Sequence, residues 1–291
     1  MDPVVRWTAL RAGDLEYIND PPKKAVVDAM KSPVAGVTVV LPQPVGNQWI
    51  FINTTKPPFD NVKVRQAVAY AIDKNELVKG AHWGLAEAVN NQPFLNRSRM
   101  YIPVAERDLD VSKAKRLLAE AGYPTGFKVE FFQFGGTSYD MDACQVLLGQ
   151  LSKIGIQGTM KVVDRAPYVE AMRKGDYAIS LRGDSERMDP DDAYYLYFHS
   201  GEIGANNWSR YNSKKVDALL EKGRTTWNWD ERVPIYREVV QTLQEDVPVL
   251  YLAKTIIPVA YRDFLKGHGA GAATWFGYYG GGMKKVWLDK A

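Results

Sequence analysis

The chain has 291 residues, enough for about two domains on the usual length scaling. Its 46% hydrophobic and 24% charged residues match an ordinary globular protein and exclude a collagenous, low-complexity or disordered chain. The 37 basic and 34 acidic residues leave a net charge of +3, with no basic run that would mark a nucleic-acid partner.

Cys144 is the single cysteine, so an intrachain disulfide and a cysteine-based metal knuckle are both ruled out. No segment reaches the apolar length of a membrane span. The start, Met1-Asp2-Pro3, does not open a basic-then-apolar leader, so either export is absent or a leader has been removed. Eight Trp and sixteen Tyr are generous; large rings line clefts, but most belong in cores and interfaces.

Arg6 to Glu16 reads as a short helix ending at the Ala12-Gly13-Asp14 turn, and Val37 to Leu41 as a buried strand between Gly36 and Pro42. Trp49 to Asn53 is an apolar strand stopped by Pro57 and Pro58, since proline cannot donate to a ladder. Asp60 or Asn61 can cap a helix whose Val64, Ala67, Val68, Ala71 and Ile72 share one face. Asp73 and Glu76 have capping-box spacing, so a second helix restarts, with Gly80 placed to end it.

Asp110 starts a helix with Ala114, Leu117, Leu118 and Ala121 on one side, stopped by Gly122 and Pro124. Phe127 to Phe134 is a strand; a helix follows with Cys144, Leu147, Leu148 and Leu151 at core spacing, ended by Gly155. Ile156 to Val163 (strand), Tyr168 to Lys174 (helix) and Tyr177 to Leu181 (strand) complete a βαβαβ unit, which implies parallel pairing. A polar loop, Arg182 to Pro190, leads to the aromatic segment Tyr194 to Phe198. Two amphipathic helices carry Val216, Leu219, Leu220 and then Val233, Tyr236, Val240, Leu243. Val247 to Leu252 and Thr255 to Ala260 read as strands, and the glycine-rich tail after Gly267 is a loop anchored by aromatics such as Trp275.

Several of these segments share wording with one family. Lys56 to Gly80 (Lys-Pro-Pro-Phe-Asp-Asn-Val-Lys-Val-Arg-Gln-Ala-Val-Ala-Tyr-Ala-Ile-Asp-Lys, then on to Gly80) resembles a block of the family 5 extracytoplasmic solute-binding proteins, which deliver peptides, nickel and related solutes to ABC transporters. Asp110 to Gly126, Leu147 to Ile156, Asp176 to Asp191, Asn206 to Leu220 and Arg232 to Pro248 resemble further blocks of that family, in order. The resemblance implies an α/β, periplasmic-binding-protein-like (type II) lobe with a βαβαβ core, the first lobe being largely missing. It divides the chain into a residual first-lobe segment at 1–48, a second lobe at 49–250 and a return to the first lobe or hinge at 251–291. It implies an extracytoplasmic place, a peptide or small-molecule ligand, and the membrane subunits of an ABC transporter as partners. A chain lacking its partner lobe is expected to be a fragment with impaired binding, and to expose apolar lobe surface through which it can form a homodimer.

Solute-binding proteins of this kind close two lobes on a ligand, so the loop after Leu181 is the candidate site. Asp184 matches the position at which peptide-binding relatives place a carboxylate for the ligand α-amino group, and a desolvated ammonium requires a charged acceptor. A plain surface turn would also explain Asp184, Ser185 and Glu186. The chain departs from the family here: Ser180-Leu181 stand where relatives have Gly-Trp, and Arg182 follows. Arg182 and Arg187 can pair with a ligand carboxylate or phosphate, or can neutralise neighbouring acids on the surface. Trp208, Tyr211 and Trp275 are candidates for the cleft border, packing being the alternative for each.

An enzyme reading is weaker on the residues. Gly183-Asp184-Ser185 resembles the serine block of GDS-type hydrolases, yet His82, His199 and His268 lack the expected Asp-x-x-His pairing. Asp184, Glu186, Asp189, Asp191 and Asp192 offer oxygen ligands for Ca²⁺ without EF-hand spacing. No catalytic residue, metal or cofactor is therefore expected, and the function expected is non-catalytic solute capture. A hydrolase or an interaction scaffold reusing the lobe is the alternative.

Overall fold

A computed structural model describes residues 2–44, 46–135, 138–184, 187, 189–266 and 287–289. In chain order the elements are α1 (Pro3–Ala12), β1 (Tyr17–Asn19), α2 (Lys23–Lys31), β2 (Val37–Val40), β3 (Gly46–Ile52), α3 (Val62–Ala71), α4 (Lys74–His82), β4 (Ala86–Ala88) and α5 (Val111–Glu120). They continue with β5 (Lys128–Phe134), α6 (Ser138–Ser152), β6 (Gln157–Val163), α7 (Arg165–Lys174), β7 (Ile179–Asp184) and α8 (Pro190–Phe198). The last are α9 (Lys214–Thr225), α10 (Trp229–Asp246), β8 (Val249–Thr255), β9 (Val259–Arg262), β10 (Leu265–Lys266) and β11 (Trp287–Leu288). Residues 1–46, 82–87 and 254–291 form one compact unit; 47–81 and 88–253 form the other.

In the larger unit the sheet runs β8-β3-β7-β5-β6. β5 pairs in parallel with both β6 and β7, so the βαβαβ expectation holds. β3 is antiparallel to β7, from Ile52 opposite Ile179 to Asn47 opposite Asp184. Every residue of β3 is buried, because both faces of the sheet are covered by helices. Ile50 and Ile52 join Val64, Val68, Leu118, Leu147, Leu151 and Leu181 in one core. Trp49 and Phe51, on the alternate face, join Tyr168, Tyr194, Tyr197, Trp208, Tyr236 and Tyr251 in a second, aromatic core.

Local chemistry sets the helix limits. Asn61 accepts from Lys63 N at 2.9 Å and caps α3; Asp73 Oδ1 accepts from Asn75 N and Glu76 N, both at 2.9 Å, and starts α4. Gly80 does not end α4, which continues to His82; the left-handed residues that stop it are Trp83 and Gly84. α1 starts at Pro3, not Arg6, because Asp2 caps it by accepting from Val4 N at 2.8 Å, and Gly13 at φ +92° closes it. β7 reaches Asp184, past the expected Leu181. Arg182 and Asp184 are polar, but β3 offers ladder partners out to Asn47, and hydrogen-bonded pairing decides the strand's length more than side-chain polarity does.

The smaller unit holds a three-stranded antiparallel sheet, β1-β9-β2, packed through Trp7, Leu10, Ile18, Ala29, Val37 and Ala260. α2 has no counterpart in the sequence expectations: Pro22 provides no side-chain cap and the helix has 9 residues. In this unit His82 is completely buried, and burial first, then the nearby Lys23 ammonium, depresses its pKa to about 3. The unfolded chain then binds a proton near pH 6.5 that the folded chain refuses, so stability is full above that pH and falls as pH drops toward 3. About 2 kcal/mol is expected to be lost between pH 7 and pH 5 through this group. Urea midpoints at the two pH values check it, and His82→Gln should remove that share of the difference.

Candidate functional site

The C-terminal end of β7 carries the sequence-derived candidates. β7 alternation puts Ile179 and Leu181 in the first core, and sends Ser180 and Arg182 to the aromatic side. Ser180 Oγ sits 2.8 Å from the Tyr168 hydroxyl. The Arg182 guanidinium lies 3.8 Å from the Trp208 ring centroid, a cation–π contact. Arg182 Nε donates to Gly183 O at 3.3 Å, and its Nη1 is buried with no acceptor among the described residues. Trp49 is the β3 residue opposite Arg182. Its ring meets Tyr197 at 4.7 Å and Tyr251 at 5.0 Å, both edge-on.

Arg187 stands differently. Its Nη2 donates to the Tyr197 hydroxyl at 2.7 Å, and its Nη1 lies 3.4 Å from Asp192 Oδ1. The acids of the same segment are engaged in turn. Asp189 caps α8 and accepts both terminal nitrogens of Arg232, at 2.8 and 3.1 Å. Burial pushes the Asp189 carboxyl up, but the Arg232 fork and the Asp191 N–H outweigh it and hold the group below its ordinary value. Both Asp191 oxygens accept from Arg224 Nε at 3.1 Å, and that guanidinium covers Tyr195 at 3.4 Å. Helix capping and arginine pairing thus account for the carboxylates considered for Ca²⁺ at 189, 191 and 192. Among the described residues no three His, Cys, Asp or Glu side chains gather as a metal site.

Not every candidate lies with this group. Trp208 is 8% exposed, with Nε1 donating to Ala205 O at 2.9 Å; it borders Arg182 from inside the core. Tyr211 is 5% exposed and its hydroxyl donates to Asp246 Oδ2, so within this unit it is a packing residue tied to the end of α10. Burial first, then that bond, raises its pKa. The backbone of Asp184 closes β7, while its side chain lies outside the described residues, as do Ser185, Glu186, Trp275 and His268. His199 stacks on Tyr195 at 4.3 Å and accepts from Gly201 N.

Trp49, Tyr197 and Tyr251 were not singled out from the sequence. The signal was present: Trp49 and Phe51 share strand parity, and Tyr194 and Tyr197 are one helical turn apart. Three buried polar atoms of this aromatic core, Trp49 Nε1, Tyr194 Oη and Tyr251 Oη, have no hydrogen-bond partner among the described residues. Burial drives the Tyr251 hydroxyl pKa far up. Tyr251→Phe should therefore leave stability unchanged or raise it by up to about 1 kcal/mol, whereas Tyr211→Phe loses a satisfied bond and about 1 to 2 kcal/mol. Paired urea midpoints would decide; a loss at Tyr251 equal to that at Tyr211 would contradict an unpartnered hydroxyl.

Comparison with known proteins adds the frame for this site. The family model described as "Bacterial extracellular solute-binding proteins, family 5 Middle" matches residues 1–206. Heme-binding protein A of Haemophilus influenzae is 28% identical over 285 residues, 96% of this chain and 52% of that protein. The dipeptide-binding protein of Escherichia coli is 25% identical over 227 residues, 76% of this chain and 42% of its own. Among solved structures, the periplasmic binding protein DppA from Helicobacter pylori, in complex with peptide STSA, superposes with a TM-score of 0.85 at 26% identity, covering 98% of this chain and 55% of that one. AgaA of A. tumefaciens R10, in complex with agropinic acid, gives 0.84 at 26% identity, covering 100% and 59%. This chain spans about half the length of the curated relatives it matches, and its fold is that of the type II periplasmic binding proteins. With a family model matched over residues 1–206, the chain belongs to the bacterial extracellular solute-binding proteins of family 5.

Proposed function

We propose that this chain serves reversible, non-catalytic capture of a peptide or similar small charged organic solute on the outer side of a membrane. The solute is then handed to the membrane subunits of an ABC transporter. The observation that carries this reading is the end of β7. There, the carboxylate-bearing position 184 and the arginine at 182 sit at the C-terminal edge of parallel strands, the edge at which α/β sheets hold ligands. Relatives named for dipeptides and a neighbour solved with the peptide STSA support a peptide, and the AgaA complex with agropinic acid supports a wider class of organic acids. Asp184 would receive the solute's ammonium group, and closure would follow from tighter binding by one lobe arrangement than by the other.

The test is calorimetry on the protein expressed from its natural reading frame, against di- to tetrapeptides. One-to-one binding with Kd below about 10 μM is expected, which corresponds to roughly 7 kcal/mol of affinity. Asp184→Asn should weaken binding of peptides with a free amino terminus and spare N-acetylated ones. Turnover of any bound peptide would favour the hydrolase alternative instead.

A further inference from the structure

Four arginines surround the segment that joins β7 to α8, and three of them already have a carboxylate. Arg187 faces Asp192 at 3.4 Å, Arg224 holds Asp191 at 3.1 Å and Arg232 grips Asp189 at 2.8 Å. Arg182 is the exception. Among the described residues no carboxylate pairs with it, its Nε makes only the long bond to the adjacent Gly183 O, and Nη1 has no acceptor. Mutual neutralisation, one of the two sequence readings, therefore fits Arg187, whereas among the described residues nothing neutralises Arg182.

The surroundings make that unpaired charge unusual. Arg182 is half-buried, and its guanidinium is laid on the Trp208 face at 3.8 Å. Trp208 is itself fixed by its Nε1 bond to Ala205 O and by accepting the Tyr177 hydroxyl at its backbone oxygen. A guanidinium held by its face leaves its donors in one plane, and such a planar fork matches the two oxygens of a carboxylate; at Arg182 the buried Nη1 has no acceptor among the described residues. Partial burial strengthens such a pair, because water competes less for the same donors. An ammonium-bearing solute alone would gain nothing from a cation here and would be repelled by it.

We propose that Arg182, positioned by Trp208, receives a carboxylate of the solute. The site would then select organic acids or short peptides with a free carboxyl terminus over neutral or purely cationic solutes. This rests on the solute-capture reading above and deepens it.

The experiment is calorimetry on the protein from its natural reading frame with each peptide as free acid and as C-terminal amide. The acid form should bind roughly 30-fold more tightly or better, the range expected for a charge-assisted bidentate pair. Arg182→Gln should cost the acid form that same factor and leave the amide form unchanged, so the preference disappears. Arg182→Lys should restore only part of it, since an ammonium lacks the planar fork. Thermal melting of each variant confirms that it is folded; should Arg182→Gln misfold, the acid-to-amide ratio of the unaltered protein decides alone. Equal binding of acids and amides overturns the role of Arg182 while capture stands, as does a variant that keeps the preference. Failure of every peptide and organic acid to bind overturns both.

Discussion

Gly126→Ala is expected to abolish folding of the larger unit, or to cost more than about 4 kcal/mol, the range reserved for gross steric conflict. Gly126 and Gly155 stand two residues before the start of β5 and of β6, and their backbones touch. A Cβ built on Gly126 would lie 2.0 Å from Gly155 O and 2.2 Å from its carbonyl carbon. Both obstacles are backbone, so no rotamer change relieves them. The chains approach this closely because Gln157 N already bonds to Phe127 O at 2.8 Å, which fixes the first rung of the parallel pair. Gly126 also has φ +80°, and Gly155 +88°, a region in which a side chain is strained even in open space. Gly122 separates the two effects. It has φ +92° and open space, with nothing within 4 Å of where a methyl would stand, so Gly122→Ala should cost about 1 kcal/mol of backbone strain alone. Soluble yield and urea midpoints of the two variants give the comparison. Equal losses at 122 and 126 would mean that close approach is not what the second glycine is for.

This contact shows how much of the fold was legible. Gly155 reads from the sequence as a helix end, and α6 does stop just before it, at Ser152; Gly126 carries no such signal of its own, the stop before it being Gly122 and Pro124. That they meet each other is a tertiary fact: 29 residues separate them, and no local pattern encodes the encounter. The same limit applies at the site. Composition placed Arg182 and Arg187 among acids and left two outcomes open. Arg224 and Arg232 arrive from 33 and 43 residues away to claim Asp191 and Asp189, which no local pattern announces. Long periodic helices such as α5 and α10 were readable because burial follows a single stripe. By contrast α2 buries Lys23, Val26 and Ala29 in 9 residues without a capping side chain, too weak a pattern to stand out. β7 was underestimated for a related reason: its last residues, Arg182, Gly183 and Asp184, include no apolar side chain, and the β3 ladder extends it.

Arg65→Met should destabilise the larger unit by about 3 to 4 kcal/mol, the cost of stripping the partner from several buried polar groups at once. Arg65 belongs to the Val-Arg-Gln-Ala wording that marks the family most plainly, and it is 6% exposed. Its role within this unit is structural. Nε donates to Asp246 O at 2.6 Å, and Nη1 donates to Phe59 O at 2.8 Å and Asp60 O at 3.2 Å. Asp246 ends α10, where helix carbonyls lack internal partners and a cation is favoured. Phe59 and Asp60 lie in the turn between β3 and α3, so one side chain ties that turn to the end of α10. Burial lowers the pKa of Arg65, and the Asp246 and Asp60 charges oppose that shift; the group stays charged because guanidinium is so strong a base. Methionine keeps the unbranched apolar stem and removes the guanidinium, so the loss measured is chiefly that of the hydrogen bonds and charge. Arg65→Lys should recover part of it by reaching one carbonyl while leaving the others unmet. Chemical denaturation of the three proteins tests the ranking Arg, then Lys, then Met. A methionine variant within about 1 kcal/mol of the parent would show that these carbonyls find water once the arginine is gone.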